Sequence, residues 1–315
     1  VPTDQRSRLW AAYYQHLLDA DRSQRTVTEY RRALTSFWDH AGKQPGRVGP
    51  ADLRRFLARP TVPGGNARGP YLADSTKARE AASVRAFYRW ATATRRVKRD
   101  PFAGMVLPRS RPGPPRDLPL EAITAIIDYT IAFPRVWLEV WLGYGAGLRV
   151  GEMAGLRIED CDLSDAVIRV HGKGRRERLV PLHSEVARVL RLSVAGRPGV
   201  GPVLAQHAHP DRPCSRKTIG YELNDGIRAG LAAGRQSDPT LPASATAHQL
   251  RHSFATALAA QGVTERAIGL LLGHADPKTT RRYTIGFSRD AHEAVERLPI
   301  PGRAGLASPG PARTP

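Results

Sequence analysis

The chain has 315 residues with 48 Lys+Arg against 29 Asp+Glu, a formal net charge of +19 and a sequence pI near 10.9. Its hydrophobic fraction of 41% and charged fraction of 24% suit packed cores over disorder, at a length that suggests about two domains. No apolar run is long enough to span a bilayer, the start VPTDQRSRLW lacks a signal peptide's apolar core, and Cys161 and Cys214 show no CxxC spacing, which excludes a disulfide scaffold or a Cys-rich zinc module and fits a reducing cytoplasm.

Leu9, Trp10, Tyr13, Tyr14, Leu17 and Leu18 fall at helical spacing over 7–19, and Val27, Tyr30, Leu34, Phe37 and Trp38 do so over 26–40. Pro50 to Arg59 reads as a short helix stopped by Pro60, and PTVPGGNARGP over 60–70 reads as a loop. Asp74 or Ser75 can cap a long helix through about Thr94, with Phe87 and Tyr88 inward. The aromatics Trp10, Tyr13, Tyr14, Phe37, Trp38, Phe87 and Tyr88 are expected in the core of this helical domain, 1–107. That domain is strongly basic, with 20 Lys+Arg against 9 Asp+Glu. Arg85, Arg89, Arg95, Arg96, Lys98 and Arg99 gather near the end of its last helix and are candidate phosphate contacts.

The stretch LPRSRPGPPRDLPL has too many prolines for helix or sheet, so a linker is expected over 108–119. A second domain, 120–298, opens with helices over 120–131 and 134–146 and a short one after Arg149. The period then changes: Val167-Ile168-Arg169-Val170 and Arg178-Leu179-Val180 flank GKGRR as a β-hairpin with Lys173 at or beside its turn. Helices follow over 184–194, 215–231, 246–260, 264–272 and 288–298, and the tail 299–315 has the composition of a disordered end. The fold class is therefore mainly α with a small β-hairpin or sheet: a four-helix N-terminal domain and an α+β second domain.

Four clusters carry the chemistry. GAGLRVGEMAGLRIEDCDL sets Arg149 and Glu152 three apart on one helical face; GKGRRER holds Lys173, Arg175 and Arg176. AHQLRHSFAT places His248 and Arg251 at i, i+3, and LLGHADPKTTRRYT places His274 nine residues before Tyr283. His248 and His252 have an i, i+4 spacing that zinc could use, but HExxH is absent, and His252 reads as a packing residue. His207 and His209 read as surface residues of a Pro-rich loop. No P-loop and no carboxylate cluster suggests ATP or a metal.

Taken in order, these clusters resemble the signature of the tyrosine recombinase, or phage integrase, family, over nearly the whole chain. The layout is similar to Xer-type enzymes and to small integrases of mobile elements. Ala247 departs from the Pro often found before the motif His. The resemblance implies a core-binding, SAM-like N-terminal domain and a catalytic domain. It also implies site-specific recombination of double-stranded DNA through a 3′-phosphotyrosyl link and a Holliday junction, with no cofactor. Tyr283 would be the nucleophile, His248 its base-side partner, Lys173 the acid for the leaving 5′-oxygen, and Arg149, Arg251 and His274 the donors to the phosphate. Glu152 would hold the arginines or a His. Arg175 and Arg176 are alternative phosphate contacts in the hairpin. The implied setting is the bacterial cytoplasm, on the nucleoid, as a homo-tetramer on DNA with or without a second recombinase or accessory protein. A topoisomerase-like strand-transfer enzyme and a DNA-binding regulator without catalysis are the rival readings. The helix at 288–298 has an apolar stripe of Ala291, Ala294, Val295 and Leu298 that needs a cover; it can pack back in cis, and the resemblance implies docking on a neighbouring protomer.

Overall fold

The computed structural model describes residues 5–60, 71–108, 117–172, 177–273 and 289–301. The chain divides into two compact units, Val1–Pro114 and Pro115–Pro315.

Among the described residues, the first unit contains four α-helices: α1 (Gln5–Asp19), α2 (Gln24–Ala41), α3 (Pro50–Ala58) and α4 (Asp74–Ala93). Ser23 starts α2 by accepting the Thr26 amide on its hydroxyl. The core is aromatic: Phe37, Phe56, Phe87, Tyr88 and Phe102 are fully buried and meet mostly edge to face. The Trp38 indole donates to the Tyr88 hydroxyl (3.1 Å), which donates to the Pro45 carbonyl (3.0 Å), so both polar tips are satisfied inside. Trp10 and Tyr14 are only half-buried at the edge of this core.

The second unit contains α5 (Leu120–Thr130), α6 (Pro134–Tyr144), α7 (Val150–Gly155), β1 (Cys161–Asp162), β2 (Val167–His171), β3 (Glu177–Pro181), α8 (Ser184–Val194), α9 (Arg216–Ser237), α10 (Ala247–Ala260), α11 (Glu265–Leu272) and α12 (Arg289–Glu296). The strands form an antiparallel sheet in sequence order, with Arg169 opposite Leu179 and His171 opposite Glu177. α6 lies at the centre, with Trp137, Val140, Trp141, Leu142 and Tyr144 essentially inaccessible.

Three elements differ from the sequence expectation. β1 adds a third strand to the hairpin. α9 runs six residues past 231, because Gly230 and Gly234 let it lie against α5, where a Cβ would come within 2.7 Å of Ile126 and 2.6 Å of Ala125. Glycine here serves close packing and does not end the helix. The third concerns α12. In the single chain this helix packs in cis, on its own unit, with Val295 and Leu298 buried in the main core, where docking on a neighbour is the expectation. Glu296 accepts from the Ser184 amide (2.6 Å) and lies 3.4 Å from the His183 ring, and Tyr144 donates to the Pro299 carbonyl (2.7 Å). The predicted apolar stripe is therefore real and is covered in cis. The packed chain continues through Pro301.

Within α6, Glu139 is fully buried, and neither carboxylate oxygen has a partner among the described residues. Burial, aided by the nearby Glu222 charge and opposed by Arg135, pushes its carboxyl up to about 8. The folded chain then keeps a proton that the unfolded chain loses from 4.5 upward, so stability falls as pH rises from about 4.5 to about 8 and levels off beyond. Glu139→Gln should flatten that slope and raise the melting temperature at pH 8 relative to wild type, as followed by thermal denaturation across pH 5 to 8.5.

Candidate active site

The site is built around one carboxylate. Glu152 sits in the first turn of α7, where its Oε2 accepts the Arg149 amide (2.8 Å) and so caps the helix it belongs to. Its Oε1 accepts from the Arg149 side chain (2.9 Å). Arg178, at the start of β3, docks on it with a two-pronged fork, 2.9 Å to Oε1 and 3.0 Å to Oε2. Arg251, one turn into α10, approaches Oε2 at 3.5 Å. Among the described residues, three guanidiniums thus share one carboxylate and leave a net charge of +2.

The same cations hold the end of α11. Arg178 Nε donates to the Leu271 carbonyl (2.9 Å), and Arg251 donates to the Leu272 carbonyl (2.6 Å), which Arg149 also reaches (3.4 Å). These carbonyls are the unsatisfied, negative end of a helix, a natural seat for cations. Arg251 also donates to the Gly147 carbonyl. Two glycines make this approach possible. Gly147 has φ +62, and a Cβ there would come within 2.7 Å of Phe254. Gly273 has φ +66, and a Cβ there would lie 3.1 Å from Arg178.

Exposure separates the three arginines. The Arg149 side chain is 45% exposed, that of Arg178 13% and that of Arg251 4%. Arg149 is thus the guanidinium that faces outward. Burial, then the Arg149 charge, pushes Arg251 down to about 10, which leaves it a cation at neutral pH. Burial alone would raise the Glu152 carboxyl; the Arg178 hydrogen bonds, the Arg149 amide and the surrounding guanidinium charges outweigh it and hold it below its usual range.

His248 is exposed one residue into α10. Asn224 of α9 accepts the Ala247 amide (2.8 Å) and Gln249 accepts the Thr246 amide (3.1 Å), so the start of this helix is fixed from both sides. Ala247 in place of Pro leaves an N–H that Asn224 uses. Partial burial, Arg251, His252 and Arg149 all lower the His248 pKa. His252, expected to pack, is instead exposed, its ring 3.2 Å from the Thr256 hydroxyl, because its position in α10 faces away from the core.

The structure therefore brings Arg149, Glu152 and Arg251 together, with His248 on the adjoining turn of α10. Lys173, Arg175, Arg176, His274 and Tyr283 lie outside the described residues. Of the basic residues near the end of α4, Arg89, Arg95, Arg96, Lys98 and Arg99 are exposed, whereas Arg85 is half-buried and turned to the Met105 carbonyl (3.4 Å). Arg178 is the site residue that sequence reasoning missed. Its partner is 26 residues away, and a third Arg in GRRER carries no local sign of burial. Among the described residues, no group of three or more His, Cys, Asp or Glu could hold a metal ion, and no helix is long and apolar enough to cross a membrane.

A model of the phage integrase family matches residues 120–287, and one of its N-terminal SAM-like domain matches 11–95. The chain belongs to the tyrosine recombinase (phage integrase) family. It is 31% identical over 291 residues to the tyrosine recombinase XerC of Rhodospirillum centenum, covering 87% of this chain and 81% of that one. To XerD of Yersinia pestis it is 32% identical over 298 residues, covering 89% and 91%. The fold is shared with the Tn1549 transposon integrase in complex with a circular intermediate DNA (TM-score 0.67, 17% identity, 94% of this chain and 95% of that one). It is shared too with a lambda integrase tetramer bound to a Holliday junction (TM-score 0.65, 17% identity, 85% and 76%). The activity that goes with this membership is site-specific DNA recombination by a tyrosine-type breaking and rejoining enzyme.

The His248 environment makes a testable statement. By NMR its ring should titrate below 6.5, and Arg149→Gln, by removing one of the cations that oppose its protonation, should move the midpoint upward. An unchanged midpoint in that variant would detach His248 from the arginine cluster.

Proposed function

We propose that this recombinase cleaves DNA through Tyr283, with Arg149, Lys173, His248, Arg251 and His274 as its catalytic side chains and Glu152 as the residue that holds the arginines. The observation that carries this reading is the convergence of three guanidiniums on one buried carboxylate, with a surplus of positive charge beside an exposed His248 whose burial and cationic neighbours favour its neutral form.

The chemistry follows from that charge. The Tyr283 hydroxyl, ordinarily near pKa ~10, gives its proton to His248 and attacks the scissile phosphorus. The phosphorane that forms carries extra charge on its non-bridging oxygens, where Arg149 offers an open fork, Arg251 adds field from beneath and His274 adds a donor. The bond to the 5′-oxygen breaks, and Lys173 protonates the leaving oxygen. One phosphodiester has replaced another, so no ATP is consumed. A 5′-hydroxyl from a partner strand then attacks the phosphotyrosine, releases Tyr283 and generates a Holliday junction. The domain plan is a DNA-binding domain over 1–107, a linker over 108–119 and a catalytic domain over 120–298. Exposed Arg89, Arg95, Arg96, Lys98 and Arg99, with Arg85, Arg175 and Arg176, would bind backbone phosphates. The working form is a homo-tetramer on two specific duplex sites in the bacterial cytoplasm, on the nucleoid, with or without a second recombinase or accessory protein. The DNA-bound tetramer among the structural neighbours supports that assembly.

On a nicked suicide substrate Tyr283→Phe should bind the site normally and trap no covalent product; an adduct with that variant would overturn the nucleophile. Lys173→Ala should lose ~10²-fold or more on ordinary DNA and recover on a 5′-bridging phosphorothioate, whose thiolate leaves without a proton. Equal defects on both substrates would place Lys173 on the phosphate instead.

A further inference from the structure

We propose that Arg178 is a positioning residue of the active site: by taking up both oxygens of Glu152 it limits how tightly that carboxylate pairs with Arg149 and Arg251, the guanidiniums that act on the phosphate. The inference rests on the reading of Arg149 as a phosphate-facing guanidinium.

The geometry gives Arg178 the dominant share of Glu152. Among the described residues it alone places a guanidinium fork on both oxygens, at 2.9 and 3.0 Å, while the Arg149 backbone amide also holds Oε2 (2.8 Å). Arg149 has one side-chain bond to it, and Arg251 sits at 3.5 Å. A carboxylate attracts the best-placed fork available. Without Arg178, Oε1 is left to the Arg149 guanidinium alone and Oε2, held by the Arg149 amide, can draw Arg251 in from 3.5 Å, so Glu152 pairs more tightly with cations that the phosphate needs. The net charge of the cluster would also fall from +2 to +1. Arg178 thus acts in two ways, by satisfying Glu152 and by adding a positive charge that does not itself face outward, since its side chain is only 13% exposed. Its third contact, Nε to the Leu271 carbonyl (2.9 Å), fixes the fork against the end of α11. Gly273 is needed for that seat, because a Cβ there would press within 3.1 Å on the guanidinium.

A residue that merely stabilised the fold would lower activity on every substrate alike. Arg178 should not. A methylphosphonate at the scissile position is uncharged and needs less help from guanidiniums. With full-length protein and a suicide duplex, Arg178→Ala should cleave ordinary DNA roughly tenfold or more slowly, less than the about 10²-fold expected for loss of a direct donor. Single-site affinity should stay within about threefold. On the methylphosphonate duplex the defect should largely disappear. Arg178→Lys keeps the charge but not the fork and should fall between wild type and Arg178→Ala; it carries the same comparison if the Ala variant melts at the assay temperature. Equal defects on both duplexes, or wild-type cleavage of ordinary DNA, would overturn the assignment. Arg149→Ala run in parallel separates the two ideas. If it too shows no relief on the methylphosphonate, the reading of Arg149 fails; if it is relieved and Arg178→Ala is not, only the role of Arg178 fails.

Discussion

Three like charges cannot be held within a few ångströms of one another without a counter-charge, and Glu152 is that counter-charge. It lies 8% exposed at the base of the site, and four separate stretches of chain meet through it: the turn before α7, the start of β3, the second turn of α10 and the last carbonyls of α11. Burying an ionised carboxylate is costly unless it is paired and hydrogen-bonded. Glu152 is both, several times over, so these segments together offset the cost of its burial.

The first unit shows what the same device does without burial of its cations. Asp52 sits in the first turn of α3 and accepts the Gly49 amide (2.9 Å), as Glu152 does at α7. Lys43 and Arg55 pair with it, but their side chains are 45% and 66% exposed. Asp52 itself is buried (2% exposed), but its cations reach water, where solvent and salt screen them. There the carboxylate starts a helix and shapes a surface. At Glu152 the partners Arg178 and Arg251 are largely desolvated, and the same motif orders cations against one another.

How much of this was legible follows the range of each interaction. Arg149 with Glu152 and His248 with Arg251 are three residues apart, so helix geometry alone puts each pair on one side of its helix. The joining of those pairs is long-range, and only the family motif anticipated it. Arg178 had no such help: its charge partner is in another element, and its neighbours Arg175 and Arg176 make it look like one more residue of a solvated turn. Glu139 was hidden for the opposite reason. In WLEVWL it passes for the polar side of an amphipathic helix, but α6 is enclosed on every side, so no polar side exists. For α12 the apolar stripe announced that something covers it. A stripe cannot name its cover, and here the cover is the unit's own core, secured by Glu296 on Ser184 and His183.

The surplus charge left after Glu152 is paired has a structural consequence of its own. In the folded chain without DNA it needs other acceptors, and the Leu271, Leu272 and Gly147 carbonyls supply them. Two of these are the terminal carbonyls of α11, which a helix cannot satisfy internally. The arginines satisfy them, and the helix end in turn lowers the repulsion among the arginines. This exchange defines where α11 stops. Gly273 takes the left-handed turn directly over Arg178, so α11 ends at a point set by the cation cluster itself. A phosphate brought to Arg149 would compete with the Leu272 carbonyl for the same guanidinium. The charge gathered at Glu152 is thus also the charge that holds the end of α11, and a substitution chosen to weaken one will disturb the other.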